Sequence, residues 1–129
     1  MKYWDSCTKR ERIERWEQCL RVLKNLSPHE RRKHWDMRNW GRKTDCGTVA
    51  CAAGHCGLDP WFRRRGFCLI PEEMDDSRNA SGYFKDEAGP IYFFGPDGTQ
   101  EIFWNSDPRP VSQVIREVKA YIKELKADA

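Results

Sequence analysis

Helical periodicity at both ends of the chain constrains the fold more than any other feature. Near the N-terminus, Thr8-Lys-Arg-Glu11 has the Ser/Thr-x-x-Glu form in which the cap and the third helical residue satisfy each other's backbone N–H groups. The pattern predicts a helix starting at Lys9. Ile13, Trp16, Leu20 and Leu23 then recur at spacings of three and four, with Cys19 and Val22 flanking that stripe. Its opposite face, of Arg, Lys and Glu, reads as solvated. At the other end, Pro110 to Ala127 carries Val111, Val114 or Ile115, Val118, Ile122 and Leu125 on one face. Two such stripes need a shared core, and 129 residues suffice to bury one. The expectation is a single domain over residues 1–129, mainly α, with three or four helices.

Between the two stripes the signals are mixed. Ser27-Pro28-His29-Glu30 opens a second, short and basic helix, with Ser as cap and Pro at the first helical position. Residues 36–46 lack periodicity and read as a loop whose Met37 and Trp40 plug the core. Thr48 to Cys56 reads as a compact helix of small residues, with Gly57 as a left-handed cap. Trp61, Phe62, Phe67 and Leu69 should return to the core, and the acidic, turn-rich residues 71–90 form a surface loop. Residues 91–104 are ambiguous. Aromatic and β-branched residues around Pro96-Asp97-Gly98 favour a short β-hairpin, whereas two helical turns broken at Gly95 would send Ile102 and Phe103 inward.

Charge and cysteine usage bound the function. The net charge of +3 hides an excess of Lys and Arg over residues 1–45 and of Asp and Glu over residues 67–108. Two solvated faces of opposite sign follow, able to steer a charged partner onto one side. The first residues turn charged at once, unlike a secretory signal, and no run approaches the roughly 18 apolar residues of a membrane span. A cytoplasmic location without membrane contact is expected, the host cytosol if a phage encodes the chain. There the six Cys would stay reduced.

The densest chemistry lies in "DCGTVACAAGHCG", residues 45–57. On a helix, Cys51 and His55 would share a face at i,i+4, an offset used by zinc ligands. Cys46 could supply a third ligand, and Cys56 or Cys68 a fourth. Zinc is therefore the one cofactor the sequence raises. The Cys-x4-Cys-x4-Cys spacing matches no standard zinc site, however, and Cys51 and Cys56 would point about 140° apart on a helix. A thiolate at Cys46 near a helix N-terminus is a second reading. Packing is the third and favoured one: Ala50, Ala52, Ala53 and Gly54 let a neighbouring element approach while the cysteines serve as small buried hydrophobes.

"WDMRNWGRKTDCGTVACAAGH" resembles a segment of small bacterial and phage proteins that have no established activity. Their pattern is aromatic-Asp-Met-x-x-Trp, a spacer, then Cys-Gly-Thr-x-x-Cys-x-x-Gly and Trp or His. The matching residues are Trp35, Asp36, Met37, Trp40, Cys46, Gly47, Thr48, Cys51, Gly54 and His55. The likeness covers about a quarter of the chain, with a looser echo at "LDPWFRRRGF". It implies that a position accepting Trp or His, here His55, does not need a metal ligand, and it tilts residues 91–104 towards helical turns.

Cations interleave with aromatics in "HERRKHWDMRNWGRK" and at Arg63-Arg64-Arg65, near Trp35, Trp40, Trp61 and Phe62. Phosphate contacts with stacking would suit single-stranded nucleic acid, although a charge of +3 is low for a dedicated binder. No Gly-rich phosphate cradle, Ser-His-Asp set or paired Asp-x-Asp appears, so no catalytic residue is assigned. The favoured function is a non-enzymatic interaction or accessory protein of bacterial or phage origin, such as an inhibitor docking on a larger complex. Its surface is Arg31, Arg32, Lys33, Arg63, Arg64 and Arg65, and its partner another protein. A zinc protein using Cys46, Cys51, His55 and Cys56, and a nucleic-acid binder using the basic-aromatic surface, are the alternatives.

Overall fold

A computed structural model of the chain describes residues 1–37, 41–44, 47–70, 72–73, 83–84, 89–104 and 108–128. After a 3-10 turn over Trp4–Ser6 come α1 (Lys9–Lys24) and α2 (Pro28–Lys33), then a hairpin of β1 (Arg42–Thr44) and β2 (Gly47–Val49). Helices α3 (Ala52–Leu58) and α4 (Pro60–Arg63) precede β3 (Leu69–Ile70), β4 (Glu72–Glu73) and β5 (Tyr83–Phe84). The chain closes with α5 (Gly89–Phe94), α6 (Pro96–Gly98), a π-helical turn over Thr99–Phe103, and α7 (Val111–Ala127). The protein is mainly helical, with two small β-sheets among the described residues. β1 pairs antiparallel with β2, Lys43 opposite Thr48, and parallel with β4, while β3 pairs antiparallel with β5, Leu69 opposite Phe84.

The two end helices form as their patterns predict and pack on each other. Thr8 accepts from the Glu11 N–H while Glu11 reaches back to the Thr8 N–H, and Ser27 and Glu30 repeat the box on α2. Trp16, Cys19 and Leu23 of α1 meet Val111, Val114, Val118 and Ile122 of α7 in one cluster. Trp16 stands at its centre, with ring centroids of Phe94, Phe103 and Tyr121 at 4.7, 5.3 and 4.9 Å. Phe62, Phe67 and Leu69 are buried, Trp61 is half-buried, and Met37 is in the core as expected. Trp40 lies outside the described residues.

The middle of the chain departs from expectation. Thr48 and Val49 are in a strand, not a helix, because their β-branched side chains suit the extended backbone that β1 pairs with. Buried Ala50 follows, bridging Trp35, and Cys51 is the extended cap that starts α3. Gly57 is no left-handed cap. It lies inside α3, where a Cβ would come within 2.7 Å of Leu69 Cβ and 2.9 Å of its backbone nitrogen. Part of the supposed loop over 36–46 is β1, and the supposed acidic loop contributes β4, β5 and the start of α5.

Residues 91–104 are helical, so the hairpin alternative is wrong. Adjacent Phe93 and Phe94 are both buried, as are adjacent Ile102 and Phe103. A strand would send each pair to opposite faces, whereas a helix can turn both residues of a pair into one core. Pro96 takes the first position of α6 after Gly95, whose φ of 97° breaks the run. Seven α-helical segments stand among the described residues instead of three or four, because short turns replace the loops that were expected.

Candidate functional site

The residues first considered as metal ligands are held by separate partners. Cys46 lies outside the described residues. Cys51, as the cap of α3, accepts from the Gly54 N–H at 3.4 Å. Burial pushes its thiol up to about 12. Cys56 is fully buried and raised as well, first by burial and then by a hydrogen bond with Cys19. The five described cysteines, Cys7, Cys19, Cys51, Cys56 and Cys68, are all buried and unbridged. His55 donates from Nε2 to the His34 carbonyl at 2.7 Å, which fixes its tautomer, and stacks on Trp35 at 5.8 Å. Burial lowers its pKa, the hydrogen bond to His34 opposing. Among the described residues no three His, Cys, Asp or Glu side chains converge on a metal-sized site. His55 instead borders a cleft of about 430 Å³ between α1, α2 and α3, with Glu30, His34, Gln18 and Asp59 around it.

The basic residues divide by role. Arg31 Nε donates to the Leu26 carbonyl at 3.1 Å, and Nη2 to those of Leu23 and Lys24 at 3.4 and 3.3 Å, which closes the end of α1. Arg63 Nη1 donates to the carbonyls of Gly57 and Leu69, fastening α3 to β3. Arg32, Lys33 and Arg64 are exposed. Arg65 lies with its Cζ 3.6 Å from the centre of the Trp61 ring, while its Nη1 donates to the Trp61 carbonyl at 2.9 Å. Of the aromatics read as stacking surfaces, Phe62 is core, and Trp35 donates its Nε1–H to the Arg109 carbonyl at 2.7 Å. Trp61 alone of the described three sits beside accessible cations.

Two buried arginines escape sequence reasoning. Arg109, 6% exposed, pairs with Glu117 and donates to the Ile102 carbonyl at 2.5 Å, joining the π-helical turn to α7. Arg15, also 6% exposed, donates to the carbonyls of Phe93 and Lys2 at 2.7 and 2.8 Å and lies 3.8 Å from the Phe93 ring centre. Arg15 borders a second cleft, of about 470 Å³, whose walls include Lys2, Glu11, Glu14, Trp61, Arg64 and Arg65. Its neighbours Arg10 and Arg12 are just as basic. The nearest sequence signal is its place four residues before Cys19, at the margin of the apolar stripe.

No family model, characterised protein or solved structure matches the chain. No helix among the described residues is long and apolar enough to cross a membrane.

Proposed function

We propose that the protein is a non-enzymatic interaction protein of bacterial or phage origin that docks on a larger complex through the cationic edge at α4. The Arg65–Trp61 stack supports this reading above all. Trp and Arg dominate the energetics of protein interfaces, and a guanidinium already stacked and bonded loses little freedom when a partner arrives. Arg64 stands exposed and borders the same cleft. A partner with an acidic surface is the natural complement.

The test is site-specific photo-cross-linking in bacterial cells, with the reactive group at position 64 and, as control, at exposed Lys119 of α7. A discrete cross-linked protein from position 64 only, lost on Arg65→Ala, is the expected result. Equal products from both positions would refute the docking edge. A salt-dependent shift with single-stranded DNA or RNA, lost on changing Arg64 and Arg65 to Ala, would transfer the surface to the nucleic-acid reading instead.

A further inference from the structure

We propose that the cleft between the N-terminal segment and the turn after α4 is a binding pocket for a phosphate monoester, with Arg15, Arg64 and Arg65 as its cationic lining. The inference rests on the docking reading in that it names what the partner presents at this edge.

Three observations carry it. First, the charge of the pocket is unbalanced. Lys2 and Glu11 neutralise each other at 3.0 Å, and Glu14 is directed to Arg10 at 3.7 Å. Among the described residues no carboxylate lies within ion-pair distance of Arg15, Arg64 or Arg65, and all three border the same space. Burial weakens the charged state of Arg15; Cys7 and Glu11 offset this in part, and Arg65 lies close enough to repel it. A buried cation with no carboxylate paired directly to it is costly to keep, and an anion entering the pocket offsets that cost.

Second, Arg15 is a fixed donor. Its two terminal nitrogens each give one hydrogen to a backbone carbonyl, and its plane rests on Phe93. Each of those nitrogens carries a second hydrogen, and a guanidinium held in place is suited to paired contacts with the oxygens of a phosphate. Third, size and charge select within the anions. A phosphate monoester carries about −1.5 to −2 at neutral pH, which answers several guanidinium groups better than a single carboxylate does. About 470 Å³ exceeds what an inorganic ion fills, leaving room beside Trp61 for the body of the group that bears the phosphate.

The experiment follows the Trp61 indole N–H and the arginine side-chain N–H groups by NMR in the full chain at low ionic strength. Inorganic phosphate and phenyl phosphate are titrated, with acetate at matched ionic strength as control. Saturable shifts with both phosphates, tighter for phenyl phosphate, are expected, with Arg64→Ala weakening binding about tenfold as the loss of one charge-assisted contact. Arg65→Ala should act likewise, and neither exposed residue is needed for the core. Arg15→Lys should keep the fold while weakening binding by a similar factor, since Lys offers no paired geometry. Shifts no larger than with acetate, or shifts unchanged by Arg64→Ala, would overturn the proposal. A phosphotyrosine peptide binding tighter than phenyl phosphate identifies a partner side chain as the source. Equal affinities identify a small phosphorylated molecule, and both results uphold the pocket. Phosphate binding without a specific cross-link at position 64 sinks the docking reading alone, and a cross-link without phosphate binding sinks this one alone.

Discussion

Gly98 gives the sharpest test of the core. A Cβ there would lie 2.3 Å from Trp16 Cζ2, and 2.9 Å from Trp16 Cη2 and from Tyr121 Cε1. Trp16 is only 1% exposed and is held by three rings, so it has nowhere to retreat. Overpacking of this severity belongs at the upper end of the usual range, about 3 kcal/mol. The backbone of Gly98 is already helical, φ −66° and ψ −36°, so Ala would recover about 1 kcal/mol of propensity. Gly98→Ala should therefore destabilise by about 2 kcal/mol. With a urea m-value of about 1.5 kcal/mol/M, the midpoint falls by roughly 1.3 M. Trp16→Phe removes the two clashing atoms and leaves a cavity, at about 2 kcal/mol alone. Additivity would give about 4 kcal/mol for the pair. The structure predicts about 1 kcal/mol instead, because the new methyl enters the space that Trp16 vacates and the propensity gain remains. Urea unfolding of the four proteins reads the cycle. A neutral Gly98→Ala, or a double variant near the additive value, would show that Trp16 does not pack over Gly98.

Three further outcomes follow from the buried polar groups and thiols. Burial lowers the pKa of His55, so the unfolded chain binds its proton first as pH falls; stability is complete above about pH 6.5 and declines below it, by at most about 1.4 kcal/mol per unit. His55→Gln, which can keep the donor to His34, should flatten the pH 5 to 6.5 arm of a urea-midpoint profile, and an unchanged profile would refute the assignment. Cys51→Ser should stay within about 1 kcal/mol of the parent, since Ser is a better helix cap, whereas Cys56→Ser places a hydroxyl beside buried Cys19 and should cost about 1 to 3 kcal/mol. Iodoacetamide at pH 8 should modify neither thiol until the chain is unfolded, and rapid alkylation of the folded protein would contradict their burial.

What could be read from the sequence was local. The capping boxes of α1 and α2 depend on residues three apart, and the stripe of α7 on a repeat within 17 residues. What could not be read depends on partners distant in the chain. Thr48 and Val49 are extended because β1 lies beside them, and Gly57 is a glycine because Leu69 crosses it. Arg15 resembles every other arginine of α1 until the carbonyls of Lys2 and Phe93, 13 and 78 residues away, reach its guanidinium. Residues 91–104 show the conflict most plainly. Their turn chemistry favours a hairpin, but two adjacent aromatics that both need the same core outweigh it.

The described part of the cysteine segment is a close-packed element. Residues 52–57 are all buried, and their small side chains let α3 lie against α1 and β3 at close range. Cys51, its thiol raised to about 12 by burial, caps α3, and the other described cysteines are buried beside it or elsewhere in the core. α1 is stabilised by its stripe, yet it carries Arg15 into the interior, where two carbonyls and a ring hold the charge. A neutral side chain would pack there at less cost to stability. Retaining a cation at the edge of a cleft that already holds Arg64 and Arg65 makes sense if an anion completes it, and the helix that builds the core is then also the wall of the binding pocket.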